Sequence, residues 1–432
     1  VCTEPFVNGF LAEGWDVHYM GVVGAGLDWP DDHPVKMFTV EQSSPDSGVL
    51  TDWLTDIKPD IVFAVRDPGT MAGWTTGPDS LSSIWASIKD GYASQPLFKV
   101  IFYLAIEGMP ISRTFKLAFE LPFHTGGKTV LWTPTAMKLV RRQFPEIADR
   151  CDFVHFGLDH FPENDYSLED RLMLKEMAGM SDRMVVMTIG TNKRTKGLAE
   201  VIYTAHAYKE MYGSEDVIFY IHTEPEDPTI GGHDLIHLRH WYDVEDIVVF
   251  KPGRNVYINK NTFAGVDMNG STELLSKLRH MKDVGFTPAE PEEALSNLRN
   301  YRLTDLFAMS DMYLDLSAVE GWGLPVGEAQ RWGLPVMGIS DMAARDEIYG
   351  TSRIIIEPED REVWDTWNSG ARLAKARPSR VASMIKSVYE DRSSLELARM
   401  AGKTNSDLYK WGPSVDKMIG IIKECHSHGQ GL

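Results

Sequence analysis

Glu320-Gly-Trp-Gly-Leu-Pro-Val-Gly-Glu328-Ala-Gln-Arg-Trp-Gly-Leu-Pro-Val336 is the stretch whose reading decides the fold. Just before it, Met312-Tyr-Leu-Asp-Leu-Ser317 is short and apolar, the pattern of a strand buried in a parallel sheet. Gly321 and Gly323 permit a tight turn and a close approach of backbone to ligand. Pro325 suits the first turn of a helix, where its missing N–H is not needed. Gly333 suits the end of that helix, and Pro335 prevents its continuation. The spacing therefore predicts a helix of about two turns, with Glu328 near its start. Strand, glycine turn, capped helix and a following Gly-Leu-Pro-Val strand start together predict α/β layering on a parallel sheet.

The same stretch carries chemistry. Glu320 precedes the helix and Glu328 lies within it, so both are expected at one end of the sheet. Two carboxylates facing vicinal hydroxyls accept charge-assisted hydrogen bonds. The N–H groups of the glycine turn suit sugar hydroxyls or phosphate oxygens, aided by the helix dipole. The plainer alternative is a glutamate that only complements the dipole, worth about 0.3–1 kcal/mol. Upstream, Met184 to Gly190 reads as a buried strand closed by Thr191-Asn-Lys-Arg-Thr-Lys-Gly197. Leu198, Val201, Ile202, Ala205 and Tyr208 then continue at helical spacing. Lys193, Arg194 and Lys196 thus sit on a strand-to-helix connection, where anions are favoured. The alternative is a solvated loop with ordinary surface cations.

The Glu320–Glu328 element resembles the E-x7-E motif of the retaining glycosyltransferases of family four. That resemblance implies the GT-B fold, an α/β architecture of two facing Rossmann-like doubly wound domains with an interdomain cleft. Other segments resemble the family in the right order: Phe10 to Tyr19, Lys58-Pro-Asp-Ile-Val-Phe63, Val154-His-Phe-Gly-Leu-Asp159 and Tyr409-Lys-Trp-Gly-Pro413. The resemblance implies that Glu320 contacts the donor sugar and Glu328 the ribose hydroxyls. Gly321, Trp322 and Gly323 would lie under the sugar and phosphates. The implied donor-binding set also includes Gly190, Thr191, Asn192, Gly197, Leu324, Lys251 and Arg254. Lys196 matches the family lysine that neutralises the donor diphosphate. Where the family arginine usually stands there is Thr191, with Lys193 or Arg194 as its replacement. The family histidine of the N-terminal domain is also absent. Glu107, Arg66 and Asp67 are the candidates to face the cleft instead, with His124 and His155 nearby in sequence.

The implied reaction develops positive charge on the sugar while the nucleoside diphosphate leaves with negative charge. Preorganised cations aimed at the leaving group lower that barrier. Lys196, Arg194 and Lys193, with Glu320 and Glu107, are the expected catalytic group. No metal and no further cofactor are expected, because no HExxH or Cys-x-x-Cys spacing occurs. The donor substrate is expected to be a UDP- or GDP-linked sugar. The acceptor is open between a glycan, a lipid-linked glycan, a protein and a small molecule.

Composition is consistent with a cytoplasmic enzyme. The chain has 432 residues, is 43% hydrophobic, and carries a formal charge of −19 that disfavours non-specific attraction to nucleic acid. No apolar run reaches the length of a membrane span. Cys2, Cys151 and Cys425 are too few and too far apart for a disulfide framework. The chain begins with helix-like sequence at Phe6, so a first strand of the doubly wound domain is expected to be missing before Val1. Expected boundaries are 1–165 for an acceptor-side domain, 166–408 for a nucleotide-sugar-binding domain, and 409–432 for a helix crossing back. An insertion over about 252–300 is read as an acceptor, lid or homo-oligomer element. Two other functions compete: transfer to a modified nucleic-acid base, and a catalytically idle nucleotide-sugar-binding scaffold.

Overall fold

The apolar runs form strands buried on both faces, as a parallel sheet covered by helices on each side requires. A computed structural model describes residues 3–22, 34–40, 53–66, 71, 98–226, 231–251, 302–340, 345–350, 354–363 and 371–427. In the N-terminal half, β1 (His18–Val22) pairs in parallel with β2 (Lys36–Val40). There β3 (Ile61–Arg66), β4 (Lys99–Leu104), β5 (Lys128–Leu131) and β6 (Cys151–Phe153) form a parallel sheet in that order. The second sheet contains β7 (Met184–Ile189), β8 (Val217–His222), β9 (Val248–Lys251), β10 (Met312–Asp315), β11 (Val336–Ile339) and β12 (Ile354–Ile356). Its order is β12-β11-β10-β7-β8-β9, and every pairing is parallel.

Alternation along the strands assigns side chains to cores. Val100, Phe102 and Leu104 of β4 face a core shared with Leu54, Phe115 and Phe119. Ile101 and Tyr103 face the other way, into a cluster that also takes Val185, Met187 and Ile189 of β7. Met184 and Val186 point to a third cluster with Leu198, Val201, Ile202 and Ala205. The middle cluster is therefore continuous between the two sheets.

The helices that position the site are α1 (Glu4–Ala12), α2 (Pro134–Gln143), α3 (Leu198–Tyr212), α4 (Leu324–Trp332), α5 (Arg345–Tyr349) and α6 (Trp411–Ser427). Helix α6 lies on the N-terminal half. Lys128 and Glu424 pair at 2.9 Å, and Gly9 of α1 leaves no room for a Cβ beside Val415. Met418, Ile419, Ile421 and Ile422 enter the shared core with Phe6 and Phe10 of α1. Among the described residues no helix is long and apolar enough to cross a membrane. The 252–300 segment, Asp67 and Arg254 lie outside the described residues.

Candidate active site

The order of the second sheet creates a switch point between β7 and β10. Successive strands run outward from β7 through β8 to β9, and outward from β10 through β11 to β12. Loops leaving adjacent strands at that boundary diverge and open a crevice at the carboxyl edge, where α/β sheets bind ligands. The loop after β7 carries the cations, and the turn after β10 carries Glu320.

The first loop is held against the second. Arg194–Lys196 form a single short 3₁₀ turn. Gly197 ends it at φ +64°, and a Cβ there would lie 2.1 Å from the Leu316 carbonyl oxygen. Only glycine fits both the left-handed backbone and the close approach. Ala318 N–H donates to the Thr195 carbonyl at 2.7 Å, pinning the loop to the chain beyond β10. Asn192 is buried, donating to the His233 carbonyl (2.7 Å) and accepting from the His233 N–H (3.1 Å). Its side chain thus joins the loops after β7 and β8. Thr191, Lys193 and Arg194 are exposed on the outer side of this turn, while Gly190 and Lys196 are half-buried.

Lys196 meets Glu320, Nζ to Oε2, at 2.5 Å, the side chains being 31% and 17% exposed. Burial works against the ammonium charge. The Glu320 carboxylate, with Glu107 and Asp315 beyond it, outweighs that and holds the lysine pKa above its usual value. Glu107, which follows β4, is thereby placed within electrostatic reach of Lys196. Asp315 at the end of β10 is buried and held on both oxygens. Oδ1 accepts from Ser317 N–H (3.0 Å) and Oγ–H (2.6 Å), and Oδ2 accepts from the Tyr349 hydroxyl of α5 (2.6 Å).

The turn after Glu320 reaches across to the other sheet. A Cβ on Gly321 would lie 2.9 Å from the Ala105 Cβ and 3.3 Å from the Trp132 ring. Gly323 then starts α4 at φ +86°. The Trp322 ring is 1% exposed and packs on His155, Phe156 and Tyr409, with centroids 5.5, 5.6 and 5.2 Å away. That ring is a core group, so any part Trp322 plays toward a ligand falls to its backbone. Leu324 is half-buried at the first position of α4.

Chain comparisons complete the fold assignment. No protein-family model and no curated protein matches the sequence. Solved structures do match along nearly the whole length. A glycosyltransferase from Rickettsia africae superposes with a TM-score of 0.62 at 11% identity, over 98% of this chain and 93% of that one. Sucrose-phosphate synthase from Thermosynechococcus elongatus gives 0.59 at 13% identity, over 98% and 92%. HepE of Anabaena, solved in complex with UDP, gives 0.56 at 13% identity, over 90% and 86%. The fold is GT-B.

Within this GT-B fold, Glu328 is placed differently from the sequence expectation. It is the fifth residue of α4, counted from Leu324, and so lies a full turn in from the N-terminus. The reason is that α4 starts at Leu324, with Pro325 in its first turn. The carboxylate is 0% exposed, and neither oxygen has a hydrogen-bond partner among the described residues. His160 approaches it, Nε2 to Oε1, at 3.5 Å.

The remaining candidates are dispersed. His124 is exposed at the end of the helix Lys116–His124. His155 is packed between Trp322, Tyr409 and Phe153. Burial, then the Lys417 charge, lower its pKa to about 4, against a backbone hydrogen bond that raises it. Arg66 and Lys251 end β3 and β9, but their side chains lie outside the described residues. Among the described residues no group of three or more His, Cys, Asp or Glu is arranged to hold a metal. Sequence reasoning missed His160, Asp315 and Tyr349. The Gly-Leu-Asp segment before His160 and the apolar strand run that contains Asp315 were the signals near them.

Proposed function

We propose that this chain is a retaining glycosyltransferase, moving a hexose from a UDP- or GDP-linked donor to an acceptor hydroxyl. The observation that carries the reading is the joining of Lys196 to Glu320 at the switch point, with the hydrogen-bond-poor carboxylate of Glu328 on the following helix. Support comes from the GT-B fold and from HepE, a structural neighbour solved with UDP.

In this reading the donor diphosphate replaces Glu320 as the partner of Lys196. The lysine then faces the leaving group as a point charge, stabilising it as the bond from the anomeric carbon to the phosphate oxygen breaks. The acceptor oxygen bonds to that carbon on the same face and passes its proton to the departing phosphate oxygen, keeping the anomeric configuration. Glu320, released from Lys196, accepts a hydroxyl of the sugar. Lys193 and Arg194 extend the positive edge toward solvent. Glu328 takes the ribose hydroxyls, which supply the hydrogen bonds its buried oxygens lack. Because that carboxylate has no exposure, the ribose reaches it only when groups packed around it move. The proposed division of labour is acceptor binding by 1–165, donor binding by 166–408, and a return crossing by 409–432. Metal-independent chemistry follows if Lys196 and its neighbours supply the positive charge.

The test is turnover of a panel of UDP-, GDP- and ADP-linked hexoses, followed by NMR. The reading expects slow release of sugar from at least one donor, with the anomeric configuration of the first-formed product unchanged. Inversion would remove the retaining mechanism. Binding of a donor without turnover would leave the idle nucleotide-sugar-binding scaffold, and absence of both binding and turnover across the panel would overturn the reading.

A further inference from the structure

The segment that links the two sheets is clamped by the start of the last helix. Leu158 N–H donates to the Tyr409 carbonyl (2.9 Å), and the Trp411 N–H donates to Asp159 Oδ1 (2.8 Å). Gly157 lies so close that a Cβ would be 2.3 Å from the Trp411 nitrogen. On its other side the same segment presses on α4, where a Cβ on Gly327 would be 2.6 Å from Leu158 Cδ1. His160 therefore stands between Trp411 and the helix that carries Glu328.

Its two ring nitrogens are addressed separately. The Trp411 indole N–H donates to His160 Nδ1 at 3.2 Å. An indole nitrogen is only a donor, so Nδ1 must be the acceptor and the imidazole proton resides on Nε2. Nε2 is the nitrogen that approaches Glu328 Oε1 at 3.5 Å. The separation is a few tenths of an ångström beyond the usual 2.7–3.2 Å range for an N–H···O hydrogen bond. A neutral donor there steadies one carboxylate oxygen without adding charge. The other oxygen, and the outer lone pairs of the first, stay available for hydroxyls.

We propose that His160 is a positioning residue for Glu328, held in its Nε2–H tautomer by Trp411 at the start of the C-terminal helix. This deepens the reading above and rests on Glu328 taking ribose hydroxyls. The last helix is then more than packing, because it sets the proton that faces the ligand-holding acid from some 250 residues away in sequence.

The probe is the affinity of the full chain for UDP against 2′,3′-dideoxy-UDP by calorimetry, with the GDP pair run in parallel. Wild type should prefer the nucleotide with both hydroxyls by about tenfold or more, the loss expected for a hydrogen bond to a charged group. Glu328→Gln should bring that ratio close to one. His160→Asn retains an acceptor near Trp411 but cannot reach Glu328, and should also collapse the ratio. His160→Gln carries an N–H donor at the Nε2 position and should restore most of it. Trp411→Phe keeps the bulk, removes the indole donor, and should lower the ratio. A purely structural His160 would shift affinity for both nucleotides together and leave the ratio unchanged. If Glu328→Gln collapses the ratio while His160→Asn keeps the wild-type value, the positioning role is overturned. If Glu328→Gln also keeps it, the ribose reading itself fails, and this proposal with it.

Discussion

Replacing Gly197 by alanine tests how the cationic loop is seated. The backbone there is at φ +64°, and an added Cβ meets the Leu316 carbonyl at 2.1 Å and its carbon at 2.5 Å. A left-handed non-glycine residue costs about 1–2 kcal/mol. Forcing a methyl into a packed contact adds roughly 1–3 kcal/mol. Stiffening the unfolded chain returns about 0.4–1 kcal/mol. The net expectation is a loss of about 1–5 kcal/mol, or a midpoint lowered by roughly 2–18 °C for a domain of this size. Leu316 continues β10 from the middle of the sheet, so the loop rather than the strand should yield. Lys196 immediately precedes Gly197, and its 2.5 Å contact with Glu320 should open. Calorimetric unfolding and UDP titration of the same preparation measure both effects. Gly197→Asn, which tolerates the left-handed backbone but keeps the Cβ, should recover only part of the stability. A Gly197→Ala protein that unfolds within about 1 °C of wild type and binds donor normally would refute the reasoning.

Three further outcomes follow from buried polar groups. His155 has a folded pKa near 4, below its unfolded value of 6.5, so the unfolded chain binds more protons between those limits. Stability should therefore fall as pH drops from about 6.5 to about 4, and urea unfolding of His155→Gln should show a shallower fall. Tyr349→Phe deprives Asp315 Oδ2 of its hydroxyl donor, which should cost about 1–3 kcal/mol in urea unfolding. Asn192→Ala removes the bridge to His233; hydrogen exchange of the 190–197 backbone should accelerate, and unchanged protection would contradict the bridging role.

Local chemistry was the legible part of this sequence. Gly323 and Gly333, with Pro325, marked a helix that runs from Leu324 to Trp332, because caps are written within a few residues of the helix they bound. The apolar positions Leu198, Val201, Ile202, Ala205 and Tyr208 are all buried on α3, since periodicity alone selects a face. The Lys196–Glu320 contact was not legible in the same way. It depends on β7 lying beside β10, a pairing between strands more than a hundred residues apart that no local pattern encodes. The inward turn of the Trp322 ring was hidden for a similar reason: its neighbours come from the linker at His155 and Phe156 and from Tyr409. His160 gave no periodic signal because it lies in an irregular segment, and its partners are Trp411 and Glu328. Glu328 is expected from sequence near the helix start as a holder of ribose hydroxyls; its full burial at the fifth position, beside His160 of the linker, depends on tertiary packing that no local pattern encodes.

The central claim is that the switch-point crevice takes a nucleotide-diphosphate sugar through Lys196. Calorimetric titration of wild type and Lys196→Met with UDP- and GDP-linked hexoses tests it most directly. The account predicts that wild type binds at least one donor, and that Lys196→Met binds it at least tenfold more weakly while remaining folded. Equal affinity in the two proteins, or no binding by wild type, would contradict it.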